Sequence, residues 1–449
     1  MQRIYTQFLN QWLNSTERKP LVIRGARQVG KTWIVNDLAN LNKKKLIDLN
    51  FEKKPQLISL FSSNNPQEII LNLTAIYGPI EPAKSILFLD EIQAAPELFA
   101  KLRWFAEDMP ELPVIAAGSL LEFSLEKHTF SMPVGRINYM YLEPLSFEEF
   151  LLAQNHNLFN YLKNYNFNAH IPITIHEQLL SIFKEYLIVG GMPQAVNSWL
   201  INRSLASINQ IHNDLIATYR DDFTKYHGRL SIDRLDEVFN SVPLFLGRKF
   251  IYSKVNSAVQ HTAIKQSLEL LCKAKICHKT FGSAANGIPI GAELQEKYMK
   301  VILLDTGLCS TILGLSLDQL NSLENFDLIN KGNISEQVVG QILRTINPAY
   351  IEPKLYYWHR EAQGSSAEID YLLQHQNKII PIEVKAGTTG SLKSLHIFMD
   401  LKELDIALRI NADLPTITQI NIKDHKSYKL FSIPYYLIGE IHRLLATNI

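Results

Sequence analysis

Residues Gly25-Ala26-Arg27-Gln28-Val29-Gly30-Lys31-Thr32 set two glycines around a four-residue span and follow them with a lysine and a hydroxyl. An apolar run, Leu21 to Ile23, leads into the segment, and a helical pattern leads out of it. Glycines let such a turn wrap tightly, so backbone N–H groups point inward at phosphate oxygens, and the following helix N-terminus adds positive potential. In that setting Lys31 bridges the β- and γ-phosphates of a nucleoside triphosphate, and the Thr32 hydroxyl ligates Mg²⁺. The run Ser85-Ile86-Leu87-Phe88-Leu89-Asp90-Glu91 supplies the complement, an apolar strand ending in two carboxylates. An acid at the tip of a buried strand is costly unless a cation neutralises it. Asp90 is therefore expected to hold Mg²⁺ with its hydration shell, and Glu91 to accept a proton from an attacking water. The chemistry expected is ATP binding and hydrolysis.

A second constellation lies near the other end. Glu368-Ile369-Asp370 sits in one apolar stretch and Pro381-Ile382-Glu383-Val384-Lys385 in the next. In a strand, residues i and i+2 share a face, so Asp370, Glu383 and Lys385 can converge. The arrangement D-x(12)-E-x-K resembles the PD-(D/E)XK nuclease signature, in which two carboxylates bind Mg²⁺ and the lysine orients water or stabilises charge on phosphorus. The plainer reading stays open, because alternating apolar and charged residues are also what any half-exposed strand shows.

These groups need elements to position them. Short apolar runs (Leu21 to Ile23, Leu46 to Leu49, Ile86 to Leu89, Val114 to Ala117 and Ile137 to Leu142) alternate with helical stretches up to Phe150. Such runs indicate a parallel sheet buried on both faces, an α/β unit. A helical segment is expected from about Ser146 to Tyr226, broken at Gly190-Gly191-Met192-Pro193. Ile232 to Lys279 reads as helix, turn and helix. A strand pair around Ile276 to Lys279 and Lys300 to Leu304 would complete the outline of a winged helix, with a small helical bundle as the alternative. From about Lys331 a helix precedes strands at Tyr356 to Trp358, Glu368 to Leu373 and Lys378 to Lys385, a second α/β unit.

The chain has 449 residues, 46% apolar and 20% charged, which suits a soluble protein of two to four domains. Its net charge of +1 excludes a grossly basic nucleic-acid coat but not a local basic face. Cys272, Cys277 and Cys309 form no C-x-x-C pair, and the thirteen histidines form no ligand cluster at helical spacing. No charged-then-apolar leader opens the sequence and no apolar stretch approaches the ~18 residues that span a bilayer, so a cytoplasmic protein without a membrane is expected.

At this point the chain resembles a known group. V-I-R-G-A-R-Q-V-G-K-T, L-F-L-D-E-I-Q, A-G-S-L-L-E, V-G-R and L-E-P-L-S-F-E-E-F together look like the AAA+ ATPase domain of a large set of uncharacterised bacterial and archaeal ATP-binding proteins. Tyr186 to Pro193 and Leu304-Asp305-Thr306-Gly307-Leu308 match two further signatures of that set, the second in its C-terminal domain of unknown function. The resemblance runs from about residue 15 to 440. It implies an additional-strand AAA+ core over 1–150, a helical lid region over 151–230, a winged-helix-like domain over 231–330 and a restriction-endonuclease-like domain over 331–449. It gives Glu91 the catalytic role, Ser119 a weaker part in orienting water beside the γ-phosphate, and Glu336 the place of the nuclease family's additional acid. Arg136 would stabilise transition-state charge in cis or in trans, with Arg103 competing for that role. Partners implied are ATP, Mg²⁺, DNA and a second copy of the chain. The alternative is a nucleotide-gated switch or scaffold that binds a protein partner and carries an inactive nuclease-like domain.

Overall fold

The computed structural model describes every residue except 120, 122, 124–132, 227–230, 316–333, 363–364, 386–391, 423–425 and 449. Leu120 and Glu122 of the A-G-S-L-L-E stretch, and the boundary expected at 330/331, lie outside the described residues. The chain forms two compact units. One comprises Met1–Pro144 with the short segments Lys273–Lys275 and Pro348–Glu352, and the other the remainder.

In the first unit, five short strands follow from the apolar runs: β1 (Leu21–Arg24), β2 (Lys45–Asn50), β3 (Ser85–Asp90), β4 (Val114–Ala117) and β5 (Asn138–Tyr141). All neighbours are parallel, in the order β2-β3-β4-β1-β5. β4 thus stands between the strand that leads into the glycine turn and the strand that ends in Asp90. Every residue of β3 and β4 is buried, as helices on both faces of a parallel sheet require. Helix α2 (Lys31–Leu41), which follows α1 (Tyr5–Leu13), buries Ile34, Val35, Leu38 and Ala39 at three- and four-residue spacing. Helix α4 (Leu98–Asp108), which follows α3 (Pro66–Tyr77), buries Leu98, Phe99, Leu102 and Phe105. Leu87, Leu89, Phe99, Phe105, Ala116 and their neighbours form one core cluster. Each large apolar side chain buried this way contributes about 1.5–3 kcal/mol.

The helical segment expected from about Ser146 begins at Phe147. Helix α5 (Phe147–Gln154) runs through the boundary expected at 150/151. Ser146 accepts from Glu149 N while Glu149 reaches back to Ser146 N, a capping box that starts the helix at Phe147. Helices α6 (His156–Asn164), α7 (Ile173–Val189), α8 (Pro193–Asn202), α9 (Leu205–Tyr226), α10 (Ile232–Ser241) and α11 (His261–Lys273) follow. Next come β6 (Cys277–Ser283), β7 (Leu294–Leu303), α12 (Thr306–Ile312), α13 (Ile334–Leu343), β8 (Leu355–Ala362), β9 (Ser365–His375), β10 (Lys378–Val384), α14 (Lys393–Lys402), β11 (Ile406–Asn411), β12 (Thr416–Asn421), β13 (Ser427–Pro434) and α15 (Ile441–Asn448).

The strand pair expected as the wing is present, but it is not a separate wing. β6 pairs antiparallel with β7 on one side and parallel with β8 on the other, Thr280 facing Leu355 and Gly282 facing Tyr357. The hairpin is the end of one eight-stranded sheet, β12-β13-β11-β10-β9-β8-β6-β7. The reason is burial: Cys277, His278, Thr280, Gly282 and Ser283 are all covered, and a strand so enclosed needs partners on both edges. The regions 231–330 and 331–449 therefore share a sheet. Within it, α13 is followed by the antiparallel run β8-β9-β10, then α14, then β11 parallel to β10.

Candidate nucleotide site and a second acid cluster

The glycine turn leaves the C-terminal end of β1, and its two glycines have separate reasons. At Gly25 a Cβ would lie 2.3 Å from the Leu142 carbonyl oxygen and 3.2 Å from Val29 Cγ2, so any side chain there collides with the chain leaving β5. Gly30 stands just before α2 at φ 96°, ψ 28°, a left-handed conformation that glycine adopts without a Cβ penalty. Arg3, nearly fully buried, braces the turn by donating to Val29 O at 3.0 Å and to Glu143 O at 2.8 Å. Lys31 is buried, and its ammonium donates to Gly25 O at 3.1 Å and Ala26 O at 2.7 Å. Burial pulls its pKa down to about 8, against the opposing pull of Glu91 and Asp90.

Strand register brings the acids to the same edge. Asp90 is aligned with Asn50 at the end of β2 and with Ala117 at the end of β4, and Ala117 faces Ile23 of β1. Thr32 Oγ1 lies 3.4 and 3.3 Å from the two Asp90 carboxylate oxygens, and Asn50 Nδ2 donates to Oδ2 at 3.0 Å. Burial first, then Glu91, pushes Asp90 up to about 6. Glu91 itself is left-handed, φ 51° and ψ 45°, an unusual conformation for a residue with a side chain. Its Oε2 accepts from Gln93 Nε2 at 2.6 Å and lies 3.4 Å from both the Ser119 amide nitrogen and Ser119 Oγ. The structure thus gathers Ser119 with Glu91. Gln93, Asn50 and Arg3 are absent from the sequence expectations. Gln93 follows the acid pair by two positions, while nothing in sequence marks Asn50 or Arg3 as reaching the turn.

Arg136 is not brought to this edge. β5 starts at Asn138, which faces Leu21, the first residue of β1, so Arg136 belongs to the opposite edge of the sheet from the turn that follows Arg24. There its guanidinium pairs with Glu107 of α4, and Arg103 lies 3.2 Å from the same carboxylate. The cis role expected for Arg136 is therefore corrected: strand register, which spacing does not reveal, sets it a full strand length away from the phosphate turn.

Around the second constellation Asp370 Oδ2 accepts from Val384 N at 2.8 Å, joining β9 to β10, and Lys385 Nζ lies 2.6 Å from Glu383 Oε1. Glu336 of α13 enters the cluster too, but through a cation the sequence pattern did not single out. Lys300 of β7 sets its ammonium 3.0 Å from Glu336, 2.5 Å from Glu368 and 3.8 Å from Asp370. Burial alone would lower Lys300, yet Glu336, Asp370 and Glu368 together hold it well above the usual lysine value. Burial and Glu336 drive Asp370 well above the ordinary carboxylate range. Among the described residues no group of three or more His, Cys, Asp or Glu side chains is arranged to hold a metal ion. Of the expected ligand set, Glu336 and Asp370 meet on Lys300, whereas Glu383 pairs with Lys385.

The two downstream signatures meet each other. Asp305, fully buried, accepts from Gly191 N at 2.6 Å, Gly307 N at 2.9 Å and Gln341 Nε2 at 3.1 Å. A Cβ on Gly190 would lie 2.1 Å from Asp305 Oδ1. His212 rests against Gly307 and hydrogen bonds Val189 O at 3.0 Å. These motifs therefore build a buried hydrogen-bonded joint and not a reactive centre.

Residues 17–151 match a family described as an AAA domain, residues 180–319 a domain of unknown function (DUF8612), and residues 331–434 a domain of unknown function (DUF4143). No curated protein matches the chain. Among solved structures, the Walker-type ATPase of Pyrococcus abyssi is 16% identical over 69% of this chain and 94% of its own, with a TM-score of 0.42. The Aeropyrum pernix ORC1 protein, solved in complex with DNA, is 13% identical over 69% and 90%, with a TM-score of 0.28. The Aeropyrum pernix ORC2 protein is 12% identical over 70% and 91%, with a TM-score of 0.35. TM-scores this low carry no conclusion about activity or partners. The first unit is an α/β domain with a parallel sheet, and its match to the AAA domain family supports an ATP-binding ATPase. Among the described residues no helix is long and apolar enough to cross a membrane.

Proposed function

We propose that this chain hydrolyses ATP with Mg²⁺ at the edge where Lys31, Thr32, Asp90 and Glu91 meet. The observation that supports this most is the pairing of Thr32 Oγ1 with the Asp90 carboxylate at 3.3–3.4 Å. Two hard oxygens at that spacing suit adjacent positions around Mg²⁺, which takes oxygen ligands at about 2.1 Å in octahedral geometry. Mg²⁺ would neutralise the phosphate charge that develops as the γ-phosphoryl group leaves. Backbone amides of residues 25–32 and the start of α2 would cradle the phosphates, with Lys31 turning from its loop carbonyls to the β- and γ-phosphates. Glu91, fixed by Gln93 and Ser119, would take a proton from the attacking water. Lys31→Ala is expected to lose nucleotide binding or hydrolysis in a filter-binding and phosphate-release assay, and unchanged hydrolysis would end this reading.

The same reading extends to the second unit. The order α13, β8-β9-β10, α14, β11 supports a restriction-endonuclease-like fold, and nucleotide state would move it and the helical region on DNA. Charge-assisted contacts to phosphate would make DNA stimulation of ATP turnover fall steeply with salt. A neighbouring copy would then have to supply the arginine, and Arg136 in trans fits that need. A nucleotide-gated switch for a protein partner is the second reading, favoured by the net charge of +1. Turnover indifferent to DNA at low salt would select it.

A further inference from the structure

The acids of the second unit carry an inference independent of the ATPase reading. Lys300 is 3% exposed, and its ammonium sits among carboxylates from two elements, Glu336 on α13 and Glu368 with Asp370 on β9. The Tyr357 ring, itself buried, lies 5.3 Å from the ammonium and offers a π face to the same cation. Lys300 comes from the β6–β7 hairpin, outside the D-x(12)-E-x-K stretch, and reaches the cluster because that hairpin is built into the same sheet. Of the other carboxylate oxygens, Asp370 Oδ2 accepts from Val384 N and Glu383 Oε1 pairs with Lys385, while Glu383 Oε2 is buried without a hydrogen-bond partner. A divalent ion bound by Asp370 and Glu336 would have to stand within a few ångströms of a buried ammonium. That neighbour cannot swing into solvent, and like charges in a poorly solvated site repel strongly.

We propose that the Lys300 ammonium takes the place of a divalent cation in this cluster, so the C-terminal sheet carries a nuclease-like arrangement of acids that binds no catalytic metal. The lysine holds Glu336, Glu368 and Asp370 together as a metal would, and does so without an open coordination position for water or a phosphodiester. An ammonium cannot act as a Lewis acid on a phosphoryl oxygen, and the domain serves as a binding or structural module.

The test is Mn²⁺ binding to the nucleotide-free full chain, read by electron paramagnetic resonance of free Mn²⁺. Parent protein and Asp370→Asn should retain the same amount of Mn²⁺. Lys300→Met, in which the apolar stem is kept and the charge removed, should retain additional Mn²⁺ that a second Asp370→Asn change abolishes. A parent protein that holds Mn²⁺ and loses it on Asp370→Asn overturns the proposal. A folded Lys300→Met protein that gains no Mn²⁺ overturns it as well. Should Lys300→Met fail to fold, the comparison of parent with Asp370→Asn decides alone.

Discussion

The Gln93 side-chain amide donates to the Glu91 carboxylate at 2.6 Å, and a Cβ at Gly118 would lie 2.1 Å from Gln93 Oε1, so a side chain there would displace the Gln93 amide. One amide therefore orients the proposed base, and Gly118, just past β4, leaves the room that amide occupies. Gln93→Leu removes that donor while keeping the bulk. A single charge-assisted hydrogen bond corresponds to about 1.5–3 kcal/mol, so kcat should fall roughly tenfold or more. Nucleotide affinity should stay at the parental value, because Gln93 touches Glu91 and not the phosphate turn. Steady-state turnover alongside equilibrium nucleotide binding separates the two.

Lys31 gives the phosphate turn a pH dependence. With a folded pKa of about 8 against an unfolded value of 10.5, the unfolded chain binds the extra proton between those limits. Stability of the nucleotide-free protein should therefore rise with pH across that window, the penalty on the buried ammonium being full below pH 8. Nucleotide binding needs the charged form, so ATP affinity should fall as pH climbs above about 8. Titration calorimetry in two buffers of different ionisation enthalpy should show proton uptake on binding near that pH.

Asp90 behaves in the opposite sense. Its folded pKa of about 6 exceeds the ordinary 3.8, so the folded protein holds a proton that the unfolded chain has lost between those values. Stability contributed at this site falls as pH rises through the window, and the cost is full above pH 6. Asp90→Asn should leave the nucleotide-free protein no less stable at pH 7.5, with a gain of at most about 3 kcal/mol. That advantage should shrink as pH drops toward 4, while Mg²⁺-dependent nucleotide retention is lost at every pH. Melting temperature against pH for parent and variant checks the sign.

At the buried joint of the second unit, Gly190 has φ 71° and faces the Asp305 carboxylate. Gly190→Ala combines a strained backbone with a collision and should destabilise by about 1–3 kcal/mol or more. The loss should appear as a lower melting temperature with intact nucleotide binding by the first unit.

What could be read from sequence follows from how local each feature is. The turn at 25–32 and the acid tip at Asp90-Glu91 depend on contiguous residues, and their chemistry dictates their spacing. The alternating strands and helices of the first unit were legible for the same reason, since every apolar run there is a strand of one parallel sheet. Which edge of the sheet Arg136 occupies is not legible in sequence, because it depends on how β5 registers against β1. The wing was misjudged because nothing within Cys277–Ser283 states that its second edge pairs with Leu355–Tyr357. Lys300 was invisible because a lone lysine in a strand reads as a solvated side chain, and only the fold shows three carboxylates around it.

The most direct test of the central claim is phosphate release by Glu91→Gln beside its retention of Mg²⁺-ATP. The substitution keeps the shape of the side chain and removes the proton acceptor, so ATP should be bound as tightly as by the parent and turnover should drop by about 10²-fold or more. Hydrolysis at the parental rate would contradict the account, because the proposed proton acceptor would then be dispensable.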